Sequence, residues 1–115
     1  MLIVSTAFIR FLNLVDSLDR MNPGKTLDEV ERELLGYVLR STNEGQSLLV
    51  GDLLRLDKIG SQATLHGRVK NLSALGYIKL VTDKEDGRRK FVTPTKMAFK
   101  YGEFMSKCLE DALKT

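Results

Sequence analysis

The sequence predicts a mainly α chain with a small β wing. Three observations lead there: amphipathic helical stretches separated by short polar breaks, one uninterrupted run from Gly60 to Thr95 encoding a helix, a two-stranded ribbon and a basic loop tip, and two terminal stretches too apolar for one small core to cover. Helix, ribbon and basic tip in that order make a winged helix-turn-helix. With 115 residues the chain is read as a single domain, 1–115, large enough for one modest core and too small for two. The helix-turn-helix and wing occupy 47–93, and terminal helices occupy 1–20 and 94–115.

From Leu2 to about Leu18 the apolar residues Leu2, Ile3, Val4, Phe8, Ile9, Phe11, Leu12, Leu14, Val15 and Leu18 go nearly all the way round a helix. The stretch is too short for a bilayer span, Arg10 and Asn13 interrupt it, and no basic region or small-residue cleavage site frames it. It is therefore read as burying against protein, and no membrane partner is expected. Residues 21–25 (MNPGK) form a loop, after which Thr26 with Glu29 makes a capping box that opens a helix to about Arg40. Leu27, Val30, Leu34, Tyr37 and Val38 of this helix face inward. Ser41 to Gln46 is a polar loop, and Ser47 to Val50 is a short strand pairing with the wing. Gly51 to Leu56 is the first helix of the helix-turn-helix, with Leu53, Leu54 and Leu56 available to the core, and Lys58-Ile59-Gly60 is the turn.

Leu65, Val69, Leu72 and Leu75 are spaced by four and three and line one helix face. Ser61 stands at the N-cap, and Gly76 stands where a left-handed C-terminal stop belongs. Opposite the apolar stripe lie Ala63, Thr64, Gly67, Lys70 and Asn71, with His66 at its margin. Small residues there let a backbone come close to base edges. Tyr77 to Val81 is β-branched and aromatic, and Arg89 to Val92 pairs back on it across a loop from Asp83 to Arg88. Asp86-Gly87 is a turn signal, and Arg88, Arg89 and Lys90 put three cations at or beside the tip. Singly, such features are found on ordinary globular surfaces. In this order they place a helix for the major groove beside a basic hairpin for the minor groove or phosphates.

With these residues the chain resembles the MarR-like winged-helix transcription regulators. Leu72 to Ile78, reading LSALGYI, is similar to that family's exit from the recognition helix, and Ala63-Thr64-Leu65-His66 to its opening. Asp86-Gly87-Arg88, followed by Val92 and Thr95, matches the family's D-x-R wing and closing V-x-L-T-x-x-G, with Pro94 in place of Leu and Ala98 in place of the final Gly; Gly67 stands where relatives often carry Arg. The likeness covers roughly residues 27 to 100.

The resemblance implies sequence-specific binding of double-stranded DNA by a homodimer, and hence transcriptional repression or occasionally activation. Ser61 and adjacent amides would hold a phosphate, and Gln62, Thr64, His66 and Lys70 would reach base edges. Arg68, beside the core stripe, is either a DNA contact or a salt-bridge partner. Arg88 would enter the minor groove, with Arg89 and Lys90 beside it, while Asp86 caps the turn and orients Arg88 and Gly87 completes it. Phe8, Phe11, Leu12 and Val15 of the first helix, with Tyr101, Phe104, Met105, Cys108 and Leu109 of a last helix from about Pro94 to Leu113, would interlock two copies. Pro94 suits the first helical position if Thr93 caps; the family pattern puts the cap at Thr95. Members of the family often bind small aromatic or phenolic effectors between trunk and reading head, and this short chain leaves less trunk to build such a cleft.

Charge follows the same division. Residues 1–60 hold 7 Lys/Arg against 9 Asp/Glu, and residues 61–115 hold 11 against 6, so the half with the proposed reading head carries +5. A phosphate backbone rewards such a surface through counterion release. The single cysteine excludes an internal disulfide and, with the absence of a cleavable leader, fits a reducing cytoplasm. On the apolar side of its helix, Cys108 is read as a small hydrophobe and not as a redox switch. There is no histidine partner for Cys108, no phosphate-binding glycine loop and no metal-ligand cluster, so neither an enzyme nor a metal or other cofactor is expected. The alternatives are a winged-helix protein-interaction module, or a plasmid or phage replication or partition protein using the same head.

Overall fold

The computed structural model describes residues 6–21 and 26–114, with the backbone alone described for 18–21. Seven elements follow in the order α1 (Thr6–Met21), α2 (Glu29–Asn43), α3 (Val50–Leu54), α4 (Gln62–Ala74), β1 (Ile78–Thr82), β2 (Lys90–Pro94) and α5 (Lys96–Ala112). The expected helix start at Leu2 and the loop at 22–25 lie outside the described residues. Two compact units result, one from residues 27–99 and one from residues 1–26 with 100–115.

In the first unit α2 packs on α4 and β2, and α3 packs on α4. Leu34, Leu35, Val38, Leu53, Leu65 and Leu72 are fully buried between them. Leu35 joins this core although the helical pattern did not single it out, while Val30 and Tyr37 are only half-buried. The capping box of α2 is Asp28 with Glu31, not Thr26 with Glu29: the Glu31 N–H donates to Asp28 Oδ1 (2.8 Å) and the Asp28 N–H to Glu31 Oε1 (2.9 Å). The run Thr26-Leu27-Asp28-Glu29-Val30-Glu31 offers the same spacing twice. The second frame wins because it buries Leu27 ahead of the helix and gives the buried Glu31 carboxylate two partners. The helix also runs past Arg40 to Asn43, since Ser41, expected in a loop, is buried and the chain turns only at Gly45, where φ is +74°.

The strand expected over Ser47–Val50 is reduced to a single bridge between Leu49 and Phe91, with the Val92 N–H donating to the Leu48 carbonyl (2.8 Å). Asp52 causes this: its Oδ2 accepts the Leu49 N–H (2.9 Å), starting α3 at Val50, one residue earlier than expected, and the helix ends at Leu54. Helix α4 matches its expected limits. Ser61 Oγ accepts the Thr64 N–H (3.2 Å), and Leu65, Val69 and Leu72 are buried.

At its end, Gly76 takes φ +91°. The Gly76 N–H donates to the Ser73 carbonyl (3.1 Å) and the Tyr77 N–H to the Leu72 carbonyl (3.0 Å), the bonding of a Schellman stop, with Tyr77 and Leu72 both buried. A Cβ at position 76 would lie 3.7 Å from Met97 Sδ, an ordinary contact, so an alanine there is opposed by backbone strain and not by crowding. Gly76→Ala should lower stability by about 1–2 kcal/mol, read as a lower urea midpoint at unchanged slope; an unchanged midpoint would show that the left-handed turn is dispensable.

β1 and β2 pair antiparallel, from Ile78 opposite Pro94 to Thr82 opposite Lys90. β1 sits one residue further along than expected, and β2 starts one residue later and ends two residues later, so Pro94 ends a strand and does not begin a helix. Proline, which has no N–H for the ladder, is tolerated at such a terminus. The cap of α5 is Thr95, as the family pattern has it. Its Oγ1 faces the Ala98 N–H (3.4 Å), its hydroxyl donates to the Gly76 carbonyl (2.6 Å) with the Tyr77 carbonyl at 3.1 Å, and its own N–H donates to the Tyr77 carbonyl (3.1 Å). Ala98, where the family pattern has glycine, is fully buried.

The second unit contains α1 and α5 from Lys100 onward. Arg10 binds the last carbonyl of α5, with Nε 2.9 Å and Nη2 2.5 Å from the Ala112 oxygen, so a guanidinium satisfies and neutralises a helix C-terminus. Cys108 and Ala112 are buried, but Phe8, Ile9 and Leu12 on α1 and Leu109 and Leu113 at the end of the chain stay exposed. Among the described residues no helix is long and apolar enough to cross a membrane.

Candidate nucleic-acid interface

The outward stripe of α4 is Gln62, Ala63, His66, Gly67 and Lys70, all exposed and recurring at helical spacing. A Cβ added at Gly67 would meet nothing within 4 Å, so this side of the helix lies open to close approach by a partner. Ser61 is committed to its cap: besides accepting the Thr64 N–H, its hydroxyl donates to Thr64 Oγ1 (3.0 Å), so the cap uses the Thr64 amide and not those of Gln62 and Ala63.

The wing tip is built by its own carboxylates. Asp83 Oδ1 accepts the Glu85 N–H (3.0 Å), and the Asp83 N–H donates to the Arg89 carbonyl (2.9 Å), closing the loop. Asp86 Oδ1 accepts both the Arg88 N–H (3.0 Å) and Arg88 Nε–H (3.1 Å). Those two bonds from Arg88, with the charge of Arg89 nearby, hold the Asp86 carboxyl below its ordinary range. Asp86 thus caps the turn and orients Arg88, whose side chain is 91% exposed. Arg89 is drawn back toward Asp83 at 3.6 Å, and Lys90 is exposed at the start of β2. A Cβ added at Gly87 would meet nothing within 4 Å.

Helix and wing share one cleft. Leu49, Val50, Leu54, Val69 and Leu80 contribute to an apolar lining, while His66, Lys70, Arg88, Arg89, Lys90 and Arg55 bring nitrogen donors to it, around a volume of about 690 Å³. Arg55 was not singled out by sequence. It follows α3, pairs with Asp52 at 2.9 Å and is largely exposed; a lone cation after a short helix carries no signal until the fold brings it beside the wing. Arg68 does not join this group. Its Nε donates to Asp28 Oδ2 at 2.6 Å, and Asn71 Nδ2 donates to Glu31 Oε2, so both side chains are turned toward α2.

Of the residues expected to interlock two copies, Phe8, Leu12 and Leu109 are exposed, Phe11, Val15, Tyr101, Phe104 and Met105 are half-buried, and Cys108 is buried. Burial, with the charge of Asp111, pushes the Cys108 thiol up, away from thiolate chemistry. Among the described residues no His, Cys, Asp and Glu side chains are grouped to hold a metal ion.

No protein-family model and no curated protein matches the sequence. Solved structures do match the fold. Staphylococcus aureus MepR in complex with DNA superposes with a TM-score of 0.67 at 18% identity, covering 86% of this chain and 71% of MepR. MepR described as a transcription regulator of the multidrug efflux pump MepA superposes at 0.63 and 16% identity, covering 91% and 71%. The heme sensor protein PefR of Streptococcus agalactiae in complex with heme superposes at 0.61 and 19% identity, covering 91% and 71%. The chain has the winged helix-turn-helix fold of these regulators, mostly helical with one antiparallel hairpin as the wing.

Proposed function

We propose that this chain is a MarR-like transcription regulator that binds double-stranded DNA as a homodimer and represses by occlusion. One observation carries the reading: His66 and Lys70 from the open stripe of α4 and the cations of the wing line the same cleft, so one compact unit can address a major groove and the neighbouring minor groove together. Gln62, Thr64, His66 and Lys70 are the base-edge contacts, Gln62 suited to adenine and Lys70 to guanine or a phosphate. Ser61, through the amides it organises, holds a phosphate at the start of α4. Arg88 enters the minor groove, and Arg89, Lys90 and Arg55 lie against the strand between the grooves. MepR, which shares the fold, is seen bound to DNA. The exposed apolar side chains of α1 and α5 supply the surface on which two copies meet.

Random-site selection on duplex DNA with the purified protein tests this directly. The expected result is an inverted repeat whose half-sites are about one helical turn, 10–10.5 base pairs, apart, together with weak salt-dependent retention on any duplex. No salt-dependent retention on duplex DNA would rule the reading out in favour of a protein-interaction module.

A further inference from the structure

The capping box of α2 is used twice. Its inner oxygens, Asp28 Oδ1 and Glu31 Oε1, close the helix start on each other's N–H. Its outer oxygens reach across to the recognition helix: Asp28 Oδ2 accepts Arg68 Nε–H at 2.6 Å, and Glu31 Oε2 accepts the Asn71 amide. All four carboxylate oxygens are thereby engaged, and Glu31 is only 3% exposed. The Asp28–Arg68 pair is partly exposed, at 44% and 41%, and adds little stability, but the capping bond holds its acceptor in place before the donor arrives, so the pair gives direction.

Arg68 and Asn71 are three residues apart, on one flank of α4, about 4.5 Å apart along its axis. The helix is also held by its caps at both ends and by the buried stripe of Leu65, Val69 and Leu72, whose apolar contacts are non-directional. Packing of the stripe opposes a large roll about the helix axis, and directional bonds on one flank add the resistance to a small one. A roll of about 20° carries a side-chain atom about 6 Å from the axis through about 2 Å. That displacement is enough to break a hydrogen bond from α4 to a base edge, while the phosphate contacts of the wing, which do not ride on α4, stay in place.

We propose that Asp28 and Glu31, acting through Arg68 and Asn71, fix the roll of the recognition helix and so determine which base sequence the protein prefers, without touching DNA themselves. This rests on the DNA-binding reading above. Of the two roles the sequence leaves open for Arg68, a DNA contact or a salt-bridge partner, the second is the one that positions the helix.

Asp28→Asn is the discriminating variant. Asparagine is as good an N-cap as aspartate, so the cap survives, but the side chain can no longer offer a carboxylate to Arg68. Measured against the selected site and a scrambled duplex, Asp28→Asn should lower the ratio of the two affinities about tenfold and leave scrambled-duplex affinity, salt slope and melting midpoint nearly unchanged. Arg68→Met, which leaves the cap untouched, should give the same loss, and the double variant no more than either alone; Asn71→Ala tests the Glu31 arm in the same way. An unchanged or raised ratio in Asp28→Asn overturns the proposal. So does an Arg68→Met variant that loses affinity for both duplexes equally with a shallower salt slope, since that is the signature of a phosphate contact. If the unaltered protein binds neither duplex, the DNA-binding reading falls and takes this one with it; if it binds and the variants still discriminate, only the positioning role is lost.

Discussion

Placing glutamate at both Leu12 and Leu109 is expected to convert the protein into a folded monomer and to weaken binding to its selected inverted repeat by about a hundredfold or more. Both side chains are exposed, at 46% and 54%, so neither replacement empties a core and the melting transition of the isolated chain should persist. Phe8, Ile9 and Leu12 lie at i, i+1 and i+4 on α1, and Leu109 and Leu113 lie four residues apart at the other end of the chain. Buried between two copies, each unpaired carboxylate would cost several kcal/mol, which a symmetric interface suffers twice. The loss on DNA comes from a different source: a single head no longer gains from the effective concentration that a bound twin provides. Sedimentation at several protein concentrations, with titration of the inverted repeat and of one half-site, measures both effects. Retention of a dimer with full affinity would mean that two copies meet elsewhere.

Removing the wing cations should have the next largest effect, and on every duplex alike. With Arg88, Arg89 and Lys90 all replaced by alanine, affinity at 0.1 M salt should fall roughly fiftyfold and the slope of log affinity against log salt should shrink by about 1.8, the equivalent of two phosphates. Two is a better expectation than three because Arg89 is already turned toward Asp83 and must share its charge. Arg88 is paired as well, but its side chain is almost wholly exposed and Asp86 can keep the turn closed through the Arg88 N–H alone. A triple variant with the parental slope would take the wing off the DNA.

Most of the reading head was legible because its signals are local. Ser61, the stripe of Leu65, Val69 and Leu72, the glycine at 76 and the Asp86-Gly87 turn each act within a few residues, and each does in the structure what its chemistry dictates. The differences arise where a distant partner chooses between local options. Thr26 with Glu29 and Asp28 with Glu31 are equal as capping boxes; Arg68 and Asn71, some forty residues away, break the tie. Ser47 to Val50 could pair with the wing, yet Asp52 diverts the chain into a helix after one bridge, a course that the helix-favouring leucines accept. Pro94 suits a helix start as well as a strand end, and the carbonyls at Gly76 and Tyr77 decide by engaging Thr95. Arg55 gains significance only from neighbours that no spacing rule connects to it.

Thr95 also governs where the chain can vary in length. One hydroxyl ties together the stop of the recognition helix, the root of the hairpin and the first turn of the final helix, so an inserted or deleted residue between Val92 and Ala98 would uncouple all three. At Gly87, by contrast, an added Cβ would meet nothing within 4 Å. Length changes are thus confined to the tip, where they alter how far the arginines reach while leaving the joint beneath them as it is.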